Sequence, residues 1–121
     1  MSTHNKIILL VFLSIFLAGI ANAITINIYE EVMKSKNENS KQAFTLYIKG
    51  VGDGFFWSNA SLRSNNQKPL FCLPDNLTLN AYNYIQILDE ELADSKDFYL
   101  TNNTPIAFIL FNGLIKTFPC K

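Results

Sequence analysis

Histidine is all but missing from this chain of 121 residues: the single one, His4, falls within the first 23 positions. If that segment is removed on export, as argued below, the remaining chain has no imidazole. Ser-His-Asp and Cys-His catalysis and the common zinc sites are then excluded. Cysteine is nearly as scarce, with Cys72 and Cys120 the only two. Charge of one sign is lacking too, since ten Lys+Arg balance ten Asp+Glu. That balance leaves no electrostatic footprint for nucleic acid or an anionic membrane. The chain has no internal repeat and no low-complexity segment. Carboxylates do cluster, at Asp89, Glu90, Glu91, Asp94 and Asp97. They read as a solvated helix face and its end rather than an acid/base pair. The expectation is a protein without catalytic residues, metal or cofactor.

What is present begins with an apolar run. Ile7–Ala18 follows a lysine and precedes Ala21-Asn22-Ala23, the small-x-small pattern of a signal-peptidase site. The run is too short to span a bilayer comfortably and has no basic stop-transfer flank, although an N-terminal anchor that stays attached is the alternative reading. Cleavage after Ala23 would remove Lys6 and leave residues 24–121 as one small domain, close to neutral and free of the membrane. A domain of this size is short of core, so cross-linking or dimerisation is an expected support.

The two cysteines sit in related settings, Phe71-Cys72-Leu73-Pro74 and Phe118-Pro119-Cys120. In an oxidising compartment the simplest chemistry is a Cys72–Cys120 disulfide; free thiols or half a metal site are the other readings. Closing a loop of nearly fifty residues contributes roughly 4 kcal/mol on the chain-entropy account.

Between these landmarks the periodicity is helical. Ile24–Ile28 alternates as a short strand or serves as a lead-in, and Tyr29–Lys36 fits two helical turns with Val32 and Met33 inward. Asn37–Ser40 reads as a turn with Ser40 as N-cap of a long helix, Lys41–Ser64. Phe44, Ile48, Val51 and Phe55 form its apolar face. Gly50, Gly52 and Gly54 within it imply either close approach of another backbone or a break at Gly52. Trp57 is expected in the core, or else exposed as a contact anchor. After a polar loop, Arg63–Pro69, Thr78 is the expected N-cap of a helix whose stripe is Ala81, Ile85, Leu88 and Leu92. Ala93–Asn103 reads as a polar connection containing Phe98-Tyr99-Leu100. Thr104-Pro105 then opens Ile106–Phe118, apolar nearly all round, which fits either the buried centre of the fold or a subunit seam. The expected architecture is an all-α bundle of three to five helices closed by one disulfide.

Tyr47-Ile48-Lys49-Gly50-Val51 with Asp53-Gly54, then Phe71-Cys72-Leu73-Pro74, Thr78, Gly113-Leu114 and Phe118-Pro119-Cys120, resembles the Rap/Tai family of bacterial immunity proteins. The resemblance runs from about Tyr47 to Cys120. It implies a periplasmic, α-helical inhibitor that binds a peptidoglycan amidase effector of type VI secretion and occludes its active site. It also implies a Cys72–Cys120 bridge, a close-packing role for Gly50 and Gly54, and a homodimer. The loop expected to touch the effector is Ala93–Asn103, with Asp94 and Asp97 beside Phe98 and Tyr99; Arg63–Pro69 is the runner-up. A periplasmic acid-stress chaperone of the HdeA type is the competing reading, and a structural or secretion-accessory protein a third.

Overall fold

The computed structural model describes residues 23–121; the expected export segment preceding that point lies outside the described residues. They form four helices: α1 (Ile26–Lys34), α2 (Glu38–Ser64), α3 (Ala81–Thr101) and α4 (Ile106–Thr117). This is a small all-α bundle, and Cys72 is bonded to Cys120 across a sequence separation of 48. No helix among the described residues is long and apolar enough to cross a membrane.

The centre of the bundle is α4. Ile106, Ile109, Leu110 and Leu114 are fully buried, so one side of this apolar helix belongs to the core, while Phe108 and Ile115 on its other side are exposed. Both its ends are tied. At the start, the amide of Ile26 donates to Thr104 O and that of Ile106 to Ile24 O, forming an antiparallel bridge at Thr25 and Pro105. At the finish, the Cys72 amide donates to Phe118 O at 2.8 Å beside the disulfide.

Several local expectations are corrected. The strand-like 24–28 segment makes only that single bridge, and helix begins at Ile26. The inward residues of α1 are Ile26 and Tyr29, with Val32 partly covered; Met33 is exposed. Asn37, not Ser40, caps α2: its side chain accepts the Ser40 amide, and Glu38 then adds a negative charge at the positive end of the helix dipole. Asn80, not Thr78, caps α3, through a reciprocal pair in which Asn80 and Asn83 each accept the other's amide at 3.0 Å. Pro105, still extended, takes the cap position of α4 expected for Thr104, whose backbone serves the tertiary bridge.

The largest difference concerns 93–103, which is not a polar connection. α3 continues through it to Thr101, bending where Ser95 leaves helical geometry (φ −138°, ψ 27°). The bend lets Tyr99 turn inward despite the polar residues around it. α2 and α3 then end alike. Asn65 and Asn102 are the C-caps, and Asn66 and Asn103 follow in left-handed conformation (φ 56° and 43°), a position that asparagine tolerates better than other side chains do.

The glycines divide by face. α2 passes through all three without a break. Gly52 faces α3, where a Cβ would stand 2.5 Å from the Tyr84 ring. This is the close-packing glycine, and it draws Tyr84 into the core, rotating the buried stripe of α3 to Tyr84, Ile87, Leu88, Glu91 and Leu92. Ala81 and Ile85 lie at its margin. Gly50 and Gly54 point the other way, and a Cβ at either would meet nothing within 4 Å. They make no close contact among the described residues, because two residues along a helix is about 200° of rotation. Trp57 lies on the outer side as well and is exposed, not core.

Two outcomes follow from this packing. Reduction, or Cys72→Ser with Cys120→Ser, removes a closed loop of 48 residues and should cost roughly 4 kcal/mol, read as a large fall in the thermal midpoint. Two free thiols in unreduced protein would refute it. Gly52→Ala should destabilise by about 1–3 kcal/mol through overpacking against Tyr84, whereas Gly54→Ala should be neutral or stabilising, as urea titrations of the two would show.

Candidate functional site

The residues singled out at 94–99 lie on the bent C-terminal part of α3, and the fold gives them different duties. Tyr99 is only 3% exposed. It is not a surface anchor, because its hydroxyl donates to the buried Glu91 carboxylate at 2.6 Å. Asn112 of α4 donates to the same hydroxyl at 3.3 Å. Asp94 is exposed but engaged by Lys116 of α4. The ammonium of Lys116 also lies 3.5 Å from the second oxygen of Glu91, outside hydrogen-bonding geometry. Asp97 and Phe98 are left at the surface. Phe98 is 63% exposed, and its ring meets that of Tyr99 edge-on at 5.5 Å.

The chemistry of this cluster is that of a support. Burial, reinforced by the Glu91 carboxylate, raises the Tyr99 hydroxyl above its ordinary pKa. Hydrogen bonding to Asp94 raises that of the Lys116 ammonium, and both groups stay protonated at neutral pH. A neighbouring tie joins α1 to the bend: Lys96 pairs with Glu30 and holds that carboxyl below its usual range. The α3 bend is therefore bonded to α4 on one side and α1 on the other, and Phe98 stands on a braced base.

Of the runner-up segment Arg63–Pro69, Arg63 and Ser64 end α2, and the chain just beyond it, at Leu70 and Phe71, has a brace that sequence reasoning missed. Asn59, buried in α2, donates to Phe71 O at 2.7 Å and accepts from the Leu70 amide at 2.7 Å. An asparagine on the otherwise apolar side of a long helix was the available clue. A cleft of about 390 Å³ opens beside it, with Phe56 and Arg63 of α2 facing Leu73, Asn76 and Leu77 of the following loop. Asn76 holds a left-handed conformation there (φ 67°).

Both cysteines are bonded, and among the described residues no group of three His, Cys, Asp or Glu could hold a metal ion. The bend presents an exposed aromatic beside a carboxylate, and the loop an apolar cleft edged by a guanidinium. No protein-family model, no curated protein and no solved structure matches this chain.

The buried hydroxyls predict a pH response. Burial, with the charge of Asp53 added, pushes Tyr84 up to about 12, and Tyr29 and Tyr99 are raised in the same direction. A pKa raised by folding contributes stability that is complete below the unfolded value, about 10 for tyrosine, and is lost as pH rises through the folded one. Urea midpoints should therefore fall increasingly above about pH 10, and Tyr84→Phe should shrink that loss. An unchanged alkaline slope in the variant would contradict the assignment.

Proposed function

We propose that this protein is a periplasmic immunity protein that binds a peptidoglycan amidase effector of type VI secretion and covers its active site, contributing no chemistry of its own. The observation that carries the reading is the braced Phe98 surface. A large exposed ring held by a buried Tyr99–Glu91–Asn112 network, with Asp97 beside it, is pre-ordered for contact. The network fixes the backbone beneath Phe98, which lowers the ordering cost of covering it. Aromatic anchors with a polar rim carry much of the binding energy in protein interfaces. The target class comes from the Rap/Tai resemblance of the Tyr47–Gly54 and cysteine-proline segments. A disulfide suits an oxidising compartment, which is where such an effector acts.

The test is co-expression of this chain with exported peptidoglycan amidases of type VI secretion. Protected cells and a recovered complex are expected, with Phe98→Ala weakening binding by about 2 kcal/mol or more and leaving the thermal midpoint unchanged. Continued lysis with no complex at micromolar concentration would end the immunity reading. Loss of binding on Arg63→Glu but not on Phe98→Ala would move the contact to the loop cleft. Broad capture of unfolding clients at low pH, without amidase binding, would favour the HdeA-type chaperone instead.

A further inference from the structure

The cleft beside Asn59 is built like a small-ligand site, and the Phe98 surface makes no use of it. Its volume of about 390 Å³ lies within the range of roughly 300–1,000 Å³ usual for such sites. One wall is the C-terminal part of α2, with Phe56 and Arg63; the other is the loop, with Leu73, Asp75, Asn76 and Leu77. Both walls are fixed in advance. Asn59 bonds Leu70 and Phe71 to α2, and the disulfide with the Cys72 amide fastens the next residue to the end of α4. The Leu77 amide donates to Pro74 O at 3.1 Å and closes the turn that carries Asp75 and Asn76.

The charges in the cleft are uncommitted. Arg63 is the only arginine of the chain. Lys34, Lys41, Lys49, Lys96 and Lys116 are each held by a carboxylate, whereas neither Arg63 nor Asp75 has an ion-pair partner among the described residues. The two line one cleft from opposite walls without pairing. A cation in the last turn of α2 suits the helix dipole, but that does not account for the carboxylate across from it. Positive on one wall, negative on the other and apolar between, the cleft complements a ligand that carries both charges on an apolar body. An interior segment of a protein has no free ends and does not supply them. A short peptide with free ends does. A cleft of this volume is about 7 Å across, which two or three residues span at roughly 3.5 Å each.

We propose that this cleft binds short peptides with free ends and an apolar side chain. The Arg63 guanidinium takes the terminal carboxylate, whose two oxygens match its fork of N–H donors. Asp75 takes the terminal ammonium from the other wall. The apolar side chain lies against Phe56, Leu73 and Leu77, and the Asn76 amide is placed to bond the peptide group between the ends. The inference does not rest on the immunity reading, because neither Phe98 nor an effector enters it.

Titrating the intact chain with the dipeptide alanyl-leucine and the tripeptide alanyl-alanyl-leucine, followed by backbone amide NMR shifts, tests it. Saturable shifts at residues 56–63 and 73–77 are expected, with a Kd of about 1 mM or tighter for at least one of the two. Amidating the carboxylate or acetylating the amine should each weaken binding about tenfold. Arg63→Gln should cost the free peptide about the same factor and the amidated peptide nothing more; Asp75→Asn should behave likewise with the acetylated one. Both side chains are exposed, so thermal midpoints should not move. No saturable shift for either peptide up to about 10 mM would overturn the proposal. So would equal binding of a peptide blocked at both ends, or a loss in Arg63→Gln that persists undiminished with the amidated peptide. A chain that protects cells from an amidase yet binds neither peptide would end this inference and leave the immunity reading standing.

Discussion

An apolar helix of twelve residues, α4, sets the terms for the rest of the molecule. With Ile106, Ile109, Leu110, Gly113 and Leu114 buried along one side, it is held only if the other helices cover that side and its ends cannot escape. One end is stitched to the residues before α1 by backbone hydrogen bonds, and the other is fastened to the loop between α2 and α3 by the disulfide. Each tie joins segments far apart in sequence. In a domain this small, closing long loops offsets a share of the chain entropy that the modest core cannot. The same ties determine where the surfaces can be. Asn59 holds the start of the 70–77 loop against α2 and the disulfide fastens it to the end of α4, while the bend of α3 is held between α4 and α1.

The polar residues of the interior do a second kind of work. Glu91 is a carboxylate buried at a helix interface, tolerable because Tyr99 donates to one oxygen and Lys116 lies near the other. Turning Tyr99 inward to reach it bends α3 at Ser95 and leaves Phe98 facing out. The exposed aromatic is thus a consequence of satisfying a buried charge. At the other crossing, Gly52 admits the Tyr84 ring and brings α3 close to α2, while the outer face of α2 stays uncovered.

Much of the architecture could be read before any coordinates. Helical periodicity at Phe44, Ile48, Val51 and Phe55, the apolar 106–118 segment and two cysteines flanked by prolines determined an all-α domain and one disulfide. They did so because burial and cross-linking depend on residue type and spacing, which sequence records directly. Caps were less legible: asparagine, serine and threonine can all accept an amide, and the choice of Asn37 over Ser40 and Asn80 over Thr78 turns on geometry a few residues away.

The candidate site was legible only in part, and for one reason. A run such as 93–103 is polar enough for a loop and helical enough for a helix, and only Glu91 on the preceding turn and Asn112 on another helix decide between them. Tyr99 and Phe98 are neighbours of similar character, yet the bend sends one into the core and the other into solvent. Gly50, Gly52 and Gly54 look equivalent in sequence, and Tyr84, thirty-odd residues away, distinguishes them. Sequence by itself determined the helices and the bridge. Tertiary structure decided which aromatic and which glycine face outward, because exposure depends on partners that converge only when the chain has folded.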